Sequence, residues 1–203
     1  MKIFLHRVNS PEQLSLVRDS NASGYECDIR YHCGQPYLHH DVVKNPLDFA
    51  CFENLISQST DLDIILNFKE TGCEIETYTQ VAKHAKSALL LDIPFPEFVK
   101  FSKLNMGHLL MWRLSEFEKP DISVMAAMGS QWIWLDSFRF YWFTQEDLYS
   151  YKKSGFQICL VSNELQGRDI NENIDSIREL VRLGYIDAVC TKNPLFYDCI
   201  LKT

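Results

Sequence analysis

Short apolar runs of strand length recur along the chain at even spacing: KIFLH (2–6), YECDI (25–29), DIILNF (63–68), SALLLD (87–92), HLLMWRL (108–114), QWIWLD (131–136), FQICLV (156–161) and DAVCT (187–191). Most are continuously apolar rather than alternating, the pattern of parallel strands buried on both faces. Helical spacing fills most of the gaps, at 73–86, 96–106, 144–155 and 170–184. In the third stretch Thr144 is an N-cap with Asp147 three residues on, and Gly155 is the stop. The fourth carries Ile174, Ile177, Leu180 and Val181 on one face and closes at Gly184.

Eight strands alternating with helices over residues 1–203 predict an α/β fold with one domain, a compact (β/α)8 TIM barrel. An open doubly wound sheet is the alternative. Its nucleotide-binding versions lose support, because no G-x-G-x-x-G follows the first strand and no P-loop is present. At this length some helices must be short or missing. The short crossovers between the fifth and seventh strands would leave a surface that a homodimer could cover.

Charge and cysteine content narrow the class further. The net charge of −7 argues against nucleic acid as a partner, although a local cationic pocket for one phosphate remains compatible with it. Seven cysteines, an odd number without C-x-x-C spacing, read as thiols in a reducing compartment. The opening MKIFLHRVNS is too short for the apolar part of a leader, and no run approaches the ~20 residues of a membrane span. A cytoplasmic location is expected.

In a TIM barrel the site lies where the strands end. Polar residues stand at nearly every such end: His6-Arg7, Glu26 and Asp28, Asn67 and Lys69, Asp92, Arg113, Asp136, Ser162-Asn163-Glu164 and Thr191-Lys192. Residues two apart on a strand face the same way, so Glu26 and Asp28 point together while Cys27 and Ile29 point to the other side. Adjacent carboxylates repel unless one is protonated or a cation lies between them. A hard Mg²⁺ or Ca²⁺ would accept these oxygens, with Asn67 as a neutral third ligand. The alternative for the pair is a solvent-facing polar stripe on an edge strand.

His6 and His40 form the natural general acid–base pair, against the alternative that each is a structural histidine. His39 should point away from His40. Arg7 and Lys69 are cations suited to a phosphate, or to simple pairing with the neighbouring acids. In WIWLDSFRFYWF (132–143), Trp132 and Trp134 should pack one strand face, while Phe138, Phe140, Tyr141, Trp142 and Phe143 line a pocket rim or a short helix behind it. An exposed patch for a partner is the other reading of that run.

These motifs resemble the glycerophosphodiester phosphodiesterase family of the PLC-like phosphodiesterase superfamily. The family pattern has His-Arg after the first strand, Glu-x-Asp on the second, a small hairpin ending in His-Asp, and Glu-x-Lys on the third. Here these are His6-Arg7, Glu26-Cys27-Asp28, Cys33-Gly34-Gln35-Pro36 with His40-Asp41, and Asn67-Phe68-Lys69; GYIDAVCTKNP (184–194) is similar to the family's closing segment. Asn67 departs from the family's glutamate. Segments FPEFVKF, WRLSEFE, IWLDSF and LVSNELQGR are similar to a short bacterial branch in which Asn-x-Lys replaces Glu-x-Lys and whose members accompany surface-polysaccharide genes. The resemblance implies a phosphoric diester hydrolase acting on a small glycerophosphodiester or a related sugar-phosphate diester. It implies catalysis by His6 and His40, and Mg²⁺ or Ca²⁺ on Glu26, Asp28 and Asn67. It also raises Asp92, Arg113, Asp136 and Glu164 as pocket residues, with ion pairing at the barrel rim as their other reading. A binding protein without turnover, and a lyase that releases a cyclic phosphate, are the alternatives.

Overall fold

A computed structural model describes residues 1–44 and 50–202. Among these residues nine strands form one sheet: β1 (Lys2–Leu5), β2 (Gly24–His32), β3 (Gln35–Leu38), β4 (Asp63–Phe68), β5 (Ser87–Leu91), β6 (Leu110–Leu114), β7 (Trp132–Leu135), β8 (Gln157–Val161) and β9 (Ala188–Thr191). Every pairing is parallel except β2 with β3, and β1 pairs with both β9 and β2, so eight strands close a barrel and β3 is an antiparallel appendage on β2. Among the described residues eight helices surround it: α1 (Leu14–Asp19), α2 (Ala50–Ser57), α3 (Glu74–Val81), α4 (Phe95–Lys103), α5 (Ile122–Ala127), α6 (Gln145–Lys153), α7 (Ile174–Arg182) and α8 (Pro194–Lys202). The chain is a single-domain (β/α)8 TIM barrel.

The alternation of strand side chains builds two cores. Tyr25, Cys27, Ile29, Ile64, Leu66 and Phe68 point outward into the layer beneath the helices. Phe4, Ile65, Leu91, Met111, Trp132, Trp134, Cys159 and Cys190 point inward and fill the barrel. The inward positions of β2 are Glu26 and Asp28, both fully buried, so this strand gives the barrel interior carboxylates instead of hydrocarbon. They do not form a solvent-facing stripe.

Local signals explain several boundaries. Thr144 and Asp147 make the reciprocal capping box that starts α6, and Gly155 ends it at φ 90°. Cys33 and Gly34 both have positive φ, a two-residue turn that joins β2 to β3, so Gln35 and Pro36 already belong to β3 rather than to the turn. Pro36 is tolerated because β3 is an edge. Gly24 is required by proximity: a Cβ there would lie 1.8 Å from the carbonyl oxygen of Asp63 on β4.

Four helices lack a clear sequence signal. α1 and α5 have only six residues each, too short for a period to stand out. α5 covers part of the surface expected to be bare between the fifth and seventh strands, where Met125 reaches the core. No helix among the described residues is long and apolar enough to cross a membrane.

Candidate active site

The strand ends converge on a cavity of about 210 Å³ lined by His6, Arg7, Asp28, His40, Asn67, Lys69, Arg113, Trp134, Asp136, Phe138, Val161, Leu165 and Gln166. It lies at the carboxyl ends of the barrel strands, the end that carries the chemistry in this architecture.

On one wall, β1 runs into His6, whose N–H extends the β1–β9 ladder to Thr191 at 2.8 Å. Arg7 then turns into the left-handed region at φ 59°. This turn brings its backbone N–H to Glu26 Oε2 at 2.8 Å. Asn67 Nδ2 donates to Glu26 Oε1 at 2.8 Å. Burial and the neighbouring Asp28 push the Glu26 carboxyl up to about 7. His6 Nε2 stands 3.6 Å from Glu26, and its Nδ1 is buried without a partner. Burial, and next the Arg7 charge, lower His6 to about 4, so near neutral pH its ring is uncharged.

Asp28 is held by Asn9, which the sequence did not single out, and by the two cations that it did. Asn9 donates from Nδ2 to Asp28 Oδ2 at 2.8 Å, and its Oδ1 accepts the Asp28 backbone N–H at 2.9 Å. Lys69 Nζ is 3.1 Å from Asp28 Oδ1, and Arg7 Nε is 3.6 Å from Oδ2. The signal for Asn9 was only its place three residues beyond His6.

His40 arrives from the hairpin. Its Nδ1 meets Asp41 Oδ1 at 2.9 Å, and its carbonyl accepts from Arg30 Nε at 3.1 Å and from the guanidinium at 2.8 Å. Arg30 is in turn held by Glu70 at 2.7 Å. Glu70 therefore faces away from the cavity, as its position beside Lys69 predicts, and Arg30 emerges as a positioning residue. Strand alternation from Asp28 was the signal for it. His39 is exposed and bonds locally to Asp41.

On the opposite wall Arg113 grips Asp92 with two bonds, 2.9 and 2.7 Å, and also bonds Asp136. Gln166 Nε2 donates to Asp136 Oδ1 at 2.8 Å. Burial pushes the Asp136 carboxyl up, with Arg113 opposing. Arg113 and Asp136 line the cavity, whereas Asp92 stands behind Arg113. Glu164 does not reach the cavity: it bonds Ser162 and Thr191 and accepts the Lys192 backbone N–H at 2.9 Å, tying β8 to the end of β9. For Asp92 the ion-pairing reading describes the geometry, whereas Glu164 accepts hydrogen bonds from two hydroxyls and a backbone N–H.

Could these residues hold a hard cation? Asn67 Oδ1 is buried and lacks a hydrogen-bond partner, and the buried Asp28 Oδ1 faces only the Lys69 ammonium. They sit on paired positions of β2 and β4. Such oxygens suit Mg²⁺ or Ca²⁺. Among the described residues no three His, Cys, Asp or Glu side chains form a metal-holding group, so the donor set is two carboxylates and an amide carbonyl. It fits a weakly held, mostly hydrated ion, with Lys69 competing for Asp28.

No family model matches the chain, and no curated protein matches it in sequence. Solved structures do match in fold. The chain is similar to phosphoribosyl anthranilate isomerase from Thermus thermophilus, at 12% identity and TM-score 0.59 with all of both chains covered. It is similar to a mutant tryptophan synthase alpha-subunit from Pyrococcus furiosus, at 12% identity and TM-score 0.56, covering 100% of this chain and 90% of that one. These likenesses establish the TIM-barrel class and nothing finer.

Proposed function

We propose that this chain is an enzyme, a phosphodiesterase of the glycerophosphodiester type, acting on a glycerophosphodiester or a related glycerol- or sugar-phosphate diester. The observation that carries this reading is the meeting of His6, His40, Arg7 and Lys69 with Asp28 and Asn67 around one small cavity. Four separated sequence segments supply a proton acceptor, a proton donor, two cations and a hard-ligand pair, in the order that the family resemblance requires.

The chemistry follows from these groups. A phosphodiester is a monoanion, and Arg7 and Lys69 would take its non-bridging oxygens. His6, uncharged near neutral pH, accepts the proton of the attacking hydroxyl, either a neighbouring hydroxyl of the substrate or water. That oxygen bonds to phosphorus as the bond to the leaving oxygen breaks, and protonated His40 delivers its proton there. Asp41 occupies His40 Nδ1 and leaves Nε2 as the reacting atom. If the substrate's own hydroxyl attacks, a cyclic phosphate forms, and water opens it with the two roles reversed. Glu26, Asp28 and Asn67 would hold a Mg²⁺ or Ca²⁺ ion, which when bound neutralises charge on the phosphate oxygens.

A binding protein without turnover is the second reading. It is favoured by three of the four carboxylate oxygens already accepting protein hydrogen bonds. Calorimetry with Mg²⁺ and Ca²⁺ on the wild type and on Asp28→Ala, paired with phosphorus NMR of a glycerophosphodiester panel, separates the two. Asp28-dependent metal binding with a phosphomonoester or cyclic phosphate appearing supports the enzyme. Diester binding without any new phosphorus signal leaves the binding protein, and neither binding nor turnover removes both.

A further inference from the structure

Four phenylalanines are exposed among the described residues, Phe95, Phe117, Phe138 and Phe140. All four follow the carboxyl ends of three consecutive strands, β5, β6 and β7, on one side of the cavity mouth. Phe138 belongs both to the cavity lining and to this rim. Its ring lies 5.9 Å from that of Phe117, over which the Arg139 guanidinium sits at 5.1 Å. The two loops are clamped together, because the Glu116 carboxylate accepts the backbone N–H groups of Phe138 at 3.1 Å and Arg139 at 2.7 Å. Rings held this way are preorganised and do not collapse onto the core.

Resting on the phosphodiesterase reading, we propose that this rim is the subsite for the second substituent of the diester, and that the substituent is apolar, with an aromatic group fitting best. The continuity at Phe138 carries the argument: a ligand whose phosphate lies between Arg7 and Lys69 leaves the cavity past that ring. Exposed aromatic surface at a pocket mouth removes apolar ligand surface from water. The occupant is a soluble small molecule rather than a lipid surface. The chain carries a net charge of −7, and Glu116 and Glu118 stand on the same loop as Phe117, so an anionic membrane would be repelled.

The test compares the benzyl and methyl diesters of glycerol phosphate, whose leaving alcohols are of similar acidity, on the wild type, on Phe117→Ala/Phe140→Ala, and on Leu16→Ala as a distant exposed control. The paired rim residues are 64% and 56% exposed, so the core survives their removal. The wild type should favour the benzyl ester in kcat/KM by about tenfold, the effect of roughly 60 Å² of apolar surface leaving water. The double variant should bring the ratio near one, while Leu16→Ala keeps it. Cleavage of both esters without preference, or a preference that the double variant retains, overturns the subsite but spares the phosphodiesterase. Cleavage of neither ester overturns both. Co-sedimentation with phosphatidylcholine vesicles that the double variant abolishes would overturn the small-molecule assignment in favour of a membrane surface.

Discussion

His6 and Glu26 lie against each other in the barrel and titrate in opposite directions, which gives a quantitative test of the site. Burial and Asp28 raise Glu26 from 4.5 to about 7. A raised carboxyl contributes stability that is fully present below its unfolded value and is lost as pH rises through the folded one. The shift corresponds to about 3 kcal/mol lost between roughly pH 4.5 and 7. Burial and Arg7 lower His6 from 6.5 to about 4. Its contribution is present above the unfolded value and is lost as pH falls through the folded one, again about 3 kcal/mol, between roughly pH 6.5 and 4. In the wild type the two slopes oppose and largely cancel. Each variant uncovers one of them. In Glu26→Gln the His6 slope stands alone, and stability should climb by about 3 kcal/mol from pH 4.5 to 6.5 relative to the wild-type profile. In His6→Asn stability should fall by a similar amount from pH 5 to 7. Urea unfolding in EDTA, at half-unit pH steps, reads both. Profiles of the two variants that run parallel to the wild type would refute the buried, opposed arrangement of these side chains.

Two further outcomes follow from the same geometry. Arg30→Met removes the bonds to the His40 carbonyl, so turnover of a glycerophosphodiester should fall about tenfold or more with KM little changed; Lys in its place should not restore it, because one ammonium cannot make the paired bonds to His40 while holding Glu70, and full recovery by Lys would argue against the positioning role. Gly24→Ala places a methyl against the Asp63 carbonyl and should cost at least ~3 kcal/mol in urea unfolding, whereas an unchanged midpoint would mean that β2 and β4 are not so close.

Much of this was legible in the chain, and the reasons are physical. Strands buried on both faces must be continuously apolar, so eight runs marked eight barrel strands to within a residue or two, except that β2 runs three residues further, to His32. Period two placed Glu26 and Asp28 on one face, and the closure of the barrel made that face the interior. Less was written in the helices. A six-residue helix such as α5 spans too few turns to display a period, and the stretch 170–184 begins as turns, with helix only from Ile174. Asn9 and Gln166 escaped because their roles depend on loop geometry that no spacing encodes. Asp92 and Glu164 show the converse: a charge at a strand end marks the rim but does not say whether it faces the cavity or a neighbour.

The β2–β3 hairpin folds back on itself, returning the chain beside Asp28 before it reaches His40: Ile29 pairs with Leu38, and the His39 N–H meets the Asp28 carbonyl at 3.2 Å. The outward and return paths have equal length, so residues added in pairs at the tip would leave His40 where it is. A single residue added to the return strand would advance the chain by about 3.3 Å and exchange inner for outer faces, presenting His39 to the cavity in its place. For this arm length is free and parity is fixed, so relatives of this chain can carry hairpins of very different reach provided they keep an even count.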